Sequence, residues 1–261
     1  MGARVAIMCR RPAQVPGVSL MKTPLIPLNE RIIFALDVAS EREAMTWLDR
    51  LGDSVRFYKV GLQLFLSGGL PVIARIVDRG NRVMVDLKFF DIPQTVHHAV
   101  AAIRNCGATF LTVHGNEAIL RAAVAARGDT QILAVTVLTS FDESDLREMG
   151  LTGTMEDLVY CRARKALAAG CDGVVSSGLE AKKLRNEMGD QFLIVTPGIR
   201  PGAHDAARTD DQRRMASARE AIQNGANHVV VGRPIRDAAD PVAVVTAMQT
   251  EIAAALASHH A

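Results

Sequence analysis

Residues 82–107 read RVMVDLKFFDIPQTVHHAVAAIRNCG, a short apolar run followed by a segment with helical spacing. The run RVMVDLKF (82–89) has the near-continuous apolar character of a strand that is buried on both faces, which is typical of parallel sheets. In the segment that follows, Pro93 suits the first turn of a helix and Gly107 suits its end. The stretch therefore predicts one strand–helix unit of an α/β protein.

Similar apolar runs recur along the rest of the chain, with helical segments between them. They are RIIFALDV (31–38), RFYKVGL (56–62), TFLTVHG (109–115), QILAVTVLT (131–139), DGVVSSG (172–178), FLIVTPG (192–198) and HVVVGR (228–233). Eight strand–helix repeats predict a single-domain (β/α)8 TIM barrel, with a doubly wound open sheet as the alternative. We assign residues 29–258 to the barrel and residues 1–28 to a disordered extension, in which Met21 is an alternative start. Ser40 and Glu43 predict a capping box for the first long helix.

The composition is that of a globular protein, with 49% hydrophobic and 22% charged residues in a chain of 261. A net charge of +2 gives no reason to expect nucleic acid or an acidic membrane surface as a partner. No apolar run is long enough to cross a bilayer. The four cysteines, Cys9, Cys106, Cys161 and Cys171, lack the spacing of a zinc site. We therefore expect a cytoplasmic protein with free thiols, no metal site and no membrane association.

The densest group of charges lies at the end of the third predicted strand. Asp86 and Lys88 are two residues apart, so their side chains share a face and should point into the barrel mouth. Asp91 follows in the loop, and Lys59 ends the neighbouring second strand. We expect two carboxylates and two ammoniums to alternate there in a partly buried space. A structural ion-pair ladder is the alternative, although buried ion pairs stabilise a fold poorly and barrels place their chemistry at this rim.

A phosphate site is predicted after strands 7 and 8, where TIM barrels commonly bind phosphate. Strand 8 runs into VGRPIRDAADP (231–241). There, Gly232 permits close backbone approach, Arg233 offers a bidentate fork, and Pro234 can begin a short helix. The polar segment 201–214 has the length of a lid. The alternative is an ordinary turn in which Arg233 is a solvated surface charge.

Other polar residues near strand ends are less specific. Asp37 could hold a ribose hydroxyl or cap the next helix. His114 ends strand 4, where a satisfied rim histidine is the plainer interpretation, and His97 and His98 lie inside a helix with surface or structural roles. No HExxH, GxGxxG, Walker or GxSxG pattern occurs. This argues against zinc-protease, dinucleotide, P-loop and hydrolase chemistry.

Several motifs resemble, in the same order, those of the orotidine 5'-monophosphate (OMP) decarboxylases. They are FALDV, YKVGLQLF, DLKFFDIPQTV, VTVLTS, VTPGIRP, DQRR and VVGRPI, and the resemblance runs from about residue 31 to about residue 250. It implies a cofactor-independent carboxy-lyase that converts OMP to uridine 5'-monophosphate (UMP), the last step of de novo UMP biosynthesis. Phe90 and Gln94 depart from the pattern, since many relatives carry histidine and asparagine there.

The resemblance also implies a role for each matching residue. Lys88 would stabilise and protonate the C6 carbanion as CO2 leaves, Asp86 would lie against the substrate carboxylate, and Lys59 would bridge the ribose and the carboxylates. Asp91 and Thr95 would enter the active site of a partner subunit, which makes the enzyme a homodimer with shared sites. The remaining substrate-binding residues would be Asp37 at the ribose, Thr139 and Ser140 at the pyrimidine, Gln212, Gly232 and Arg233 at the phosphate, with Arg200 and Pro197 beside them.

Two other functions stay open from the sequence. One is a Mg2+-dependent phosphate-sugar decarboxylase or aldolase of the same barrel superfamily, because such enzymes also use an Asp-x-Lys-x-x-Asp strand. The DIP step and the TPGIRP stretch favour OMP as the substrate. The second is a non-catalytic nucleotide-binding barrel, against which the costly charge cluster argues.

Overall fold

Eight parallel strands close into a barrel in the computed structural model, which describes residues 5–6, 26–200 and 214–258. Each strand pairs with the next in sequence, and the eighth pairs with the first. The strands are β1 (Ile32–Ala35), β2 (Phe57–Gly61), β3 (Arg82–Phe89), β4 (Phe110–Val113), β5 (Gln131–Val135), β6 (Gly173–Val175), β7 (Leu193–Thr196) and β8 (His228–Val231). The predicted TIM barrel is confirmed, and the open sheet is wrong because the barrel closes.

Helices connect the strands and cover the outside of the barrel. They are α1 (Leu28–Arg31), α2 (Glu41–Leu51), α3 (Leu62–Asp78), α4 (Pro93–Arg104), α5 (Glu117–Ala126), α6 (Glu143–Glu148), α7 (Met155–Ala168), α8 (Gly178–Met188), α9 (Ala218–Gln223), α10 (Arg233–Arg236) and α11 (Pro241–Ala257). Pro93 lies in the first turn of α4 as predicted, and Gly107 follows its end with a φ of +74°. Within the described ranges, no helix combines the length and the apolarity needed to reach across a bilayer.

The helix after β1 forms only half of the predicted capping box. The side chain of Ser40 accepts a hydrogen bond from the backbone N–H of Glu43 at 3.3 Å. The carboxylate of Glu43 accepts the N–H of Ala39 at 3.1 Å, one residue before the position that a capping box requires. The helix nevertheless begins directly after Ser40 and ends at Gly52, as the sequence predicts.

Alternation along the strands divides the core into two layers. On β1, Ile33 and Ala35 pack inside the barrel, whereas Ile32 and Phe34 pack outside it among the residues that contact the helices. The inner layer is completed by apolar side chains from the other strands, namely Phe57, Met84, Phe110, Leu133, Val135, Val175, Val195 and Val230. Because the interior is filled in this way, polar chemistry is confined to the carboxyl ends of the strands.

The amino-terminal end of the barrel is closed by α1 and a buried histidine. His228 is 2% exposed, and its Nδ1 donates a hydrogen bond to the carbonyl oxygen of Glu30 at 2.9 Å. Its ring packs nearly perpendicular to those of Phe57 and Phe110, with ring centroids 5.4 and 5.3 Å away. Burial lowers the pKa of His228 to about 4, so the ring is neutral near pH 7. A substrate must therefore enter from the opposite end.

Several boundaries differ from the sequence expectation. The first and sixth runs predict strands to Val38 and Gly178, whereas β1 ends at Ala35 and β6 ends at Val175. The run QILAVTVLT predicts a strand that continues to Thr139, whereas β5 ends at Val135 and the chain then leaves the barrel wall. Within the segment 1–28, residues 5–6 pair in parallel with Leu151–Thr152. Residues 1–4 and 7–25 of that segment, Met21 included, lie outside the described residues.

Candidate active site

A cavity of about 350 Å³ opens at the carboxyl ends of the strands. It brings together most of the residues that the sequence singled out as functional. Those that line it are Asp37, Lys59, Asp86, Lys88, Thr139, Ser140, Pro197, Arg200, Gly232 and Arg233. Gln212 lies outside the described residues, and so do residues 201–213 of the predicted lid. The cavity is the candidate active site.

Four charged side chains form a row of alternating sign along one wall of the cavity. Asp37 Oδ1 lies 3.2 Å from Lys59 Nζ, which lies 3.7 Å from Asp86 Oδ2. The other oxygen of the same carboxylate, Oδ1, lies 2.9 Å from Lys88 Nζ. The backbone at Gly61 leaves room for this row, because a Cβ there would stand 3.1 Å from Lys59 Nζ. Asp86 is thus held between two ammoniums.

The environment of Asp86 keeps its carboxyl group ionised. Burial raises the pKa of Asp86, since a charge in a dry site loses its hydration. The charges of Lys59 and Lys88, with hydrogen bonds from Lys88 and Thr112, outweigh burial and leave the pKa below its usual value. A fixed negative charge therefore stands beside the Lys88 ammonium. The Asp86 side chain that carries it is only 13% exposed.

Lys88 stands at an irregularity of β3. From Val85 to Phe89 the register advances four residues on β3 but only two on β4, so residues 86–88 lie opposite the single residue Thr112. Lys88 is the one non-glycine residue within the described ranges that has a positive φ, +49°. That conformation costs about 1–3 kcal/mol and is typical of functional positions. The bulge adds two residues, an even number. Side chains beyond it therefore continue to alternate between the inside and the outside of the barrel as they would in an unbroken strand.

Asp91 does not join the row of charges within one chain. The expectation that it alternates with the two lysines is wrong there, because Asp37 supplies the second carboxylate. Asp91 is exposed, and its carboxylate accepts the backbone N–H of Ile92 at 2.6 Å. Thr95 is also exposed, on the first turn of α4, and neither residue lines the cavity. Neither residue therefore contributes to the cavity of its own chain.

Two arginines mark the end of the cavity at β8. Gly232 directly follows the strand and lies close to Asp37, since a Cβ there would stand 3.6 Å from the Asp37 carboxylate. The short helix α10 begins at Arg233, one residue before the predicted Pro234, which lies in its first turn, and it ends at Arg236. Both arginine side chains line the cavity. Arg236 is held by Asp237, whose carboxylate lies 2.8 Å from its Nε. The cluster gives this end of the site a positive charge suited to phosphate.

The opposite wall is the segment 136–140 that follows β5. Val137, Leu138, Thr139 and Ser140 line the cavity and present a mixed apolar and hydroxyl surface. Arg214 holds this segment from behind by donating to the carbonyl oxygens of Val137 and Leu138 at 3.2 and 2.8 Å. The Arg214 guanidinium is itself paired with the buried carboxylate of Glu180 at 2.5 Å, which the Ser177 hydroxyl also contacts. The wall is therefore braced by a buried ion pair.

The histidines take the plain roles that the sequence suggests for them. The ring of His114 packs 5.5 Å from that of Phe90, and its Nδ1 accepts the Gly115 N–H at 2.8 Å. Burial, with a smaller effect of Arg162, lowers its pKa. His98 is exposed and contacts Gln94. His114 does not line the candidate site.

Three features of the site escaped the sequence analysis. Thr112 contacts both Asp86 and Lys88, Arg214 and Glu180 brace the wall, and Arg236 lines the phosphate end. Thr112 could have been found, because it is a polar residue inside an apolar run on the strand beside Asp86. In the part of the chain that the structure describes, no three His, Cys, Asp or Glu side chains are grouped as metal ligands.

Comparison with known proteins gives a consistent result. Residues 30–248 match the model of the Orotidine 5'-phosphate decarboxylase / HUMPS family. A protein named Orotidine 5'-phosphate decarboxylase from Methylococcus capsulatus is 50% identical over 228 residues, which are 87% of this chain and 93% of that protein. One of the same name from Xanthomonas campestris is 48% identical over 244 residues, 92% and 99% of the two chains. The crystal structure of the Lactobacillus acidophilus protein of that name superimposes with a TM-score of 0.75 at 37% identity, covering 85% of this chain and 99% of that one.

Proposed function

Because this chain belongs to the Orotidine 5'-phosphate decarboxylase / HUMPS family, we propose that the cavity around Lys88 is where it converts OMP to UMP. The relatives at 48–50% identity share the name Orotidine 5'-phosphate decarboxylase. The chain is accordingly a carboxy-lyase of pyrimidine biosynthesis, and we place it in the cytoplasm. The observation that carries the assignment of the site is the Asp37–Lys59–Asp86–Lys88 row at the rim of the barrel.

The cavity accommodates OMP in one orientation by charge. The phosphate belongs at the β8 end, where Gly232 allows close approach and Arg233 supplies a guanidinium, with Arg200 beside them. The pyrimidine belongs against Thr139 and Ser140 on the braced wall. The ribose then passes Asp37 and Lys59, whose polar atoms suit its hydroxyl groups. This arrangement brings C6 and its carboxylate to Lys88 and Asp86.

Loss of CO2 from C6 leaves an electron pair in the plane of the ring, where the pyrimidine delocalises it poorly. The Lys88 ammonium, fixed by the bulge and by Asp86, stabilises that pair electrostatically and then transfers a proton to C6. A preorganised charge in a dry site needs no reorganisation as the reaction proceeds, which makes its effect large. The C6–carboxylate bond breaks, CO2 departs, and the C6–H bond of UMP forms with the proton of Lys88.

Asp86 contributes by repulsion. Its low pKa keeps it anionic beside the substrate carboxylate, and that repulsion disappears when the carboxylate leaves as neutral CO2. Binding energy from the distant phosphate offsets the cost of bringing the two anions together. Binding at the phosphate end therefore contributes to catalysis at the reacting end, although the two ends lie on different strands.

The assay that tests this function follows loss of the orotate ultraviolet band when purified protein is given OMP together with EDTA. We expect full turnover in the chelator, because the proposed chemistry uses side chains of the protein and no metal ion. Turnover of OMP that stops in EDTA and returns with Mg2+ would contradict this mechanism. It would favour the metal-dependent phosphate-sugar enzymes of the same superfamily.

We also propose that two copies of the chain share their sites. Four large apolar side chains are exposed where the chain leaves the neighbouring strands β2 and β3: Leu62 at 62%, Leu66 at 82%, Phe90 at 69% and Ile92 at 66%. Surfaces of this kind usually mark a protein interface. Asp91 and Thr95 lie within the same stretch, and both are exposed beside their own pocket without lining it. Burial of this apolar face against a second copy would carry them to the partner's site.

Mixing inactive variants tests the shared site. Lys88→Ala and Asp91→Ala should each be inactive alone, whereas unfolding and refolding them together should restore about a quarter of wild-type activity, since half of the dimers are hybrids with one intact site. The matched control mixes Lys88→Ala with Asp86→Ala. Each site takes both Lys88 and Asp86 from one chain, so every site in a hybrid dimer lacks one of them and no activity should return. Absence of rescue in the first mixture would show that Asp91 does not cross between subunits.

A further inference from the structure

We propose that Thr112 is a positioning residue of this reaction, holding the Asp86 carboxylate and the Lys88 backbone with one hydroxyl group. The inference rests on the proposed function, because it assigns Thr112 a part in placing the two groups that meet the substrate. Thr112 lies on β4, is 0% exposed, and is absent from the cavity lining. It therefore acts through other residues rather than by touching OMP.

Both hydrogen-bonding capacities of the Thr112 hydroxyl are used on catalytic groups. Its Oγ1 lies 2.9 Å from Asp86 Oδ1 and 3.0 Å from the backbone nitrogen of Lys88. A carboxylate only accepts and a backbone N–H only donates, so the direction of both bonds is fixed. The hydroxyl donates its single proton to Asp86 and accepts from Lys88. The same Oδ1 also accepts from Lys88 Nζ at 2.9 Å.

The bulge in β3 explains why this hydroxyl is needed. Residues 86–88 face the single residue Thr112, so the ladder of backbone bonds between β3 and β4 is interrupted there. The Lys88 N–H would otherwise lack a partner, at the position where φ is +49°. By accepting that N–H, Thr112 replaces the missing ladder bond and stabilises the left-handed conformation. The direction in which the Lys88 side chain leaves the strand depends on that conformation.

Removing the hydroxyl should therefore have two consequences. The Lys88 backbone loses the bond that holds its unusual conformation, so its ammonium moves from the place where C6 reacts. Asp86 loses one of the donors that lower its pKa, so its pKa rises. Neither change touches Gly232, Arg233 or the wall at 136–140, and the binding of a nucleotide without a carboxylate should be preserved.

The test compares Thr112→Val, which removes the hydroxyl but keeps the shape, with Thr112→Ser, which keeps the hydroxyl. For Thr112→Val we expect kcat on OMP to fall on the order of 100-fold, as for a small misplacement of reacting groups. The KM for OMP and the Kd for UMP should stay within about twofold of wild type. The acidic limb of the kcat profile should move to higher pH, because kcat requires ionised Asp86 and the pKa of that group is raised. Thr112→Ser should recover most of the lost kcat.

Thr130→Val is the matched control. Thr130 is also a buried threonine, 3% exposed, and its hydroxyl donates to the backbone carbonyl of Ala108 at 3.0 Å, away from the charged row. It should lose stability without a change in kcat. If Thr112→Val does not fold, Thr112→Ala removes the same hydroxyl, and the same split between kcat and UMP binding applies.

The outcomes separate this inference from the proposed function. An active wild-type enzyme whose Thr112→Val variant keeps its kcat and pH profile would overturn the role of Thr112 alone. Equal losses of kcat in Thr112→Val and Thr112→Ser would also overturn it, because the hydroxyl would then not be the cause. A wild-type protein that does not turn over OMP would overturn the proposed function and this inference with it.

Discussion

Lys88→Ala should lower kcat on the order of 10⁴-fold or more, because one ammonium supplies both the stabilising charge and the proton that C6 receives. Among the residues that the structure describes, no other ammonium replaces it, since Lys59 lies on the far side of Asp86, 3.7 Å from Oδ2. The phosphate end of the cavity is unchanged by the substitution. Affinity for UMP, measured by titration calorimetry, should therefore stay near that of the wild type.

The control for Lys88→Ala is a lysine in a comparable ion pair outside the site. Lys183 lies 3.1 Å from Glu156 on the outside of the barrel, and Lys183→Ala should leave kcat unchanged. A Lys88→Ala enzyme with kcat close to the wild type would remove the central assumption of the mechanism. Loss of UMP binding in parallel with kcat would instead point to collapse of the cavity.

Arg233→Ala should raise the KM for OMP about 100-fold, in line with the loss of charge-assisted hydrogen bonds to an anion. The effect should depend on the phosphate group. With orotidine, which lacks the phosphate, Arg233→Ala and the wild type should have nearly the same kcat/KM. Measuring kcat/KM for both substrates in both proteins isolates the contribution of the phosphate contact.

Arg236→Ala is the matched comparison for Arg233→Ala. Arg236 lines the same end of the cavity from the last position of α10, whereas Arg233 directly follows Gly232, where the backbone allows the phosphate to approach closely. A smaller rise in KM is expected for this variant. If Arg236→Ala had the larger effect, or if Arg233→Ala impaired orotidine as strongly as OMP, the position of the phosphate would have to be reassigned.

The strands could be located from sequence because the barrel buries both faces of each one. Every predicted run contains an observed strand, but the first, fifth and sixth runs extend three or four residues beyond the carboxyl ends of β1, β5 and β6. In the fifth run, Val137 and Leu138 look like a continuation of β5, but they turn away to form a wall of the cavity. Their apolar character serves a binding surface rather than the sheet, and composition alone does not distinguish the two uses.

The charged row was predicted in part, for reasons that lie in the topology. Asp86 and Lys88 share a face by alternation, and Lys59 lies on the adjacent strand β2, two residues before its end, so their meeting follows from local rules. Asp37 and Asp91 both follow strand ends, and sequence spacing does not say which carboxylate turns inward. The positive φ of Lys88 and the contacts of Thr112 depend on how two strands fit together. Such tertiary features cannot be predicted from the sequence of either strand alone.

The bulge in β3 limits how this strand can change length. Its surplus over β4 is an even number of residues, so each side chain beyond it still faces the side it would face in an unbroken strand. Deleting Asp86, for example, would move Leu87 to an inward-facing position and turn Lys88 toward the helices. Insertions and deletions in this strand among related sequences should therefore come in steps of two residues, because only these keep the reacting side chains on the inner face.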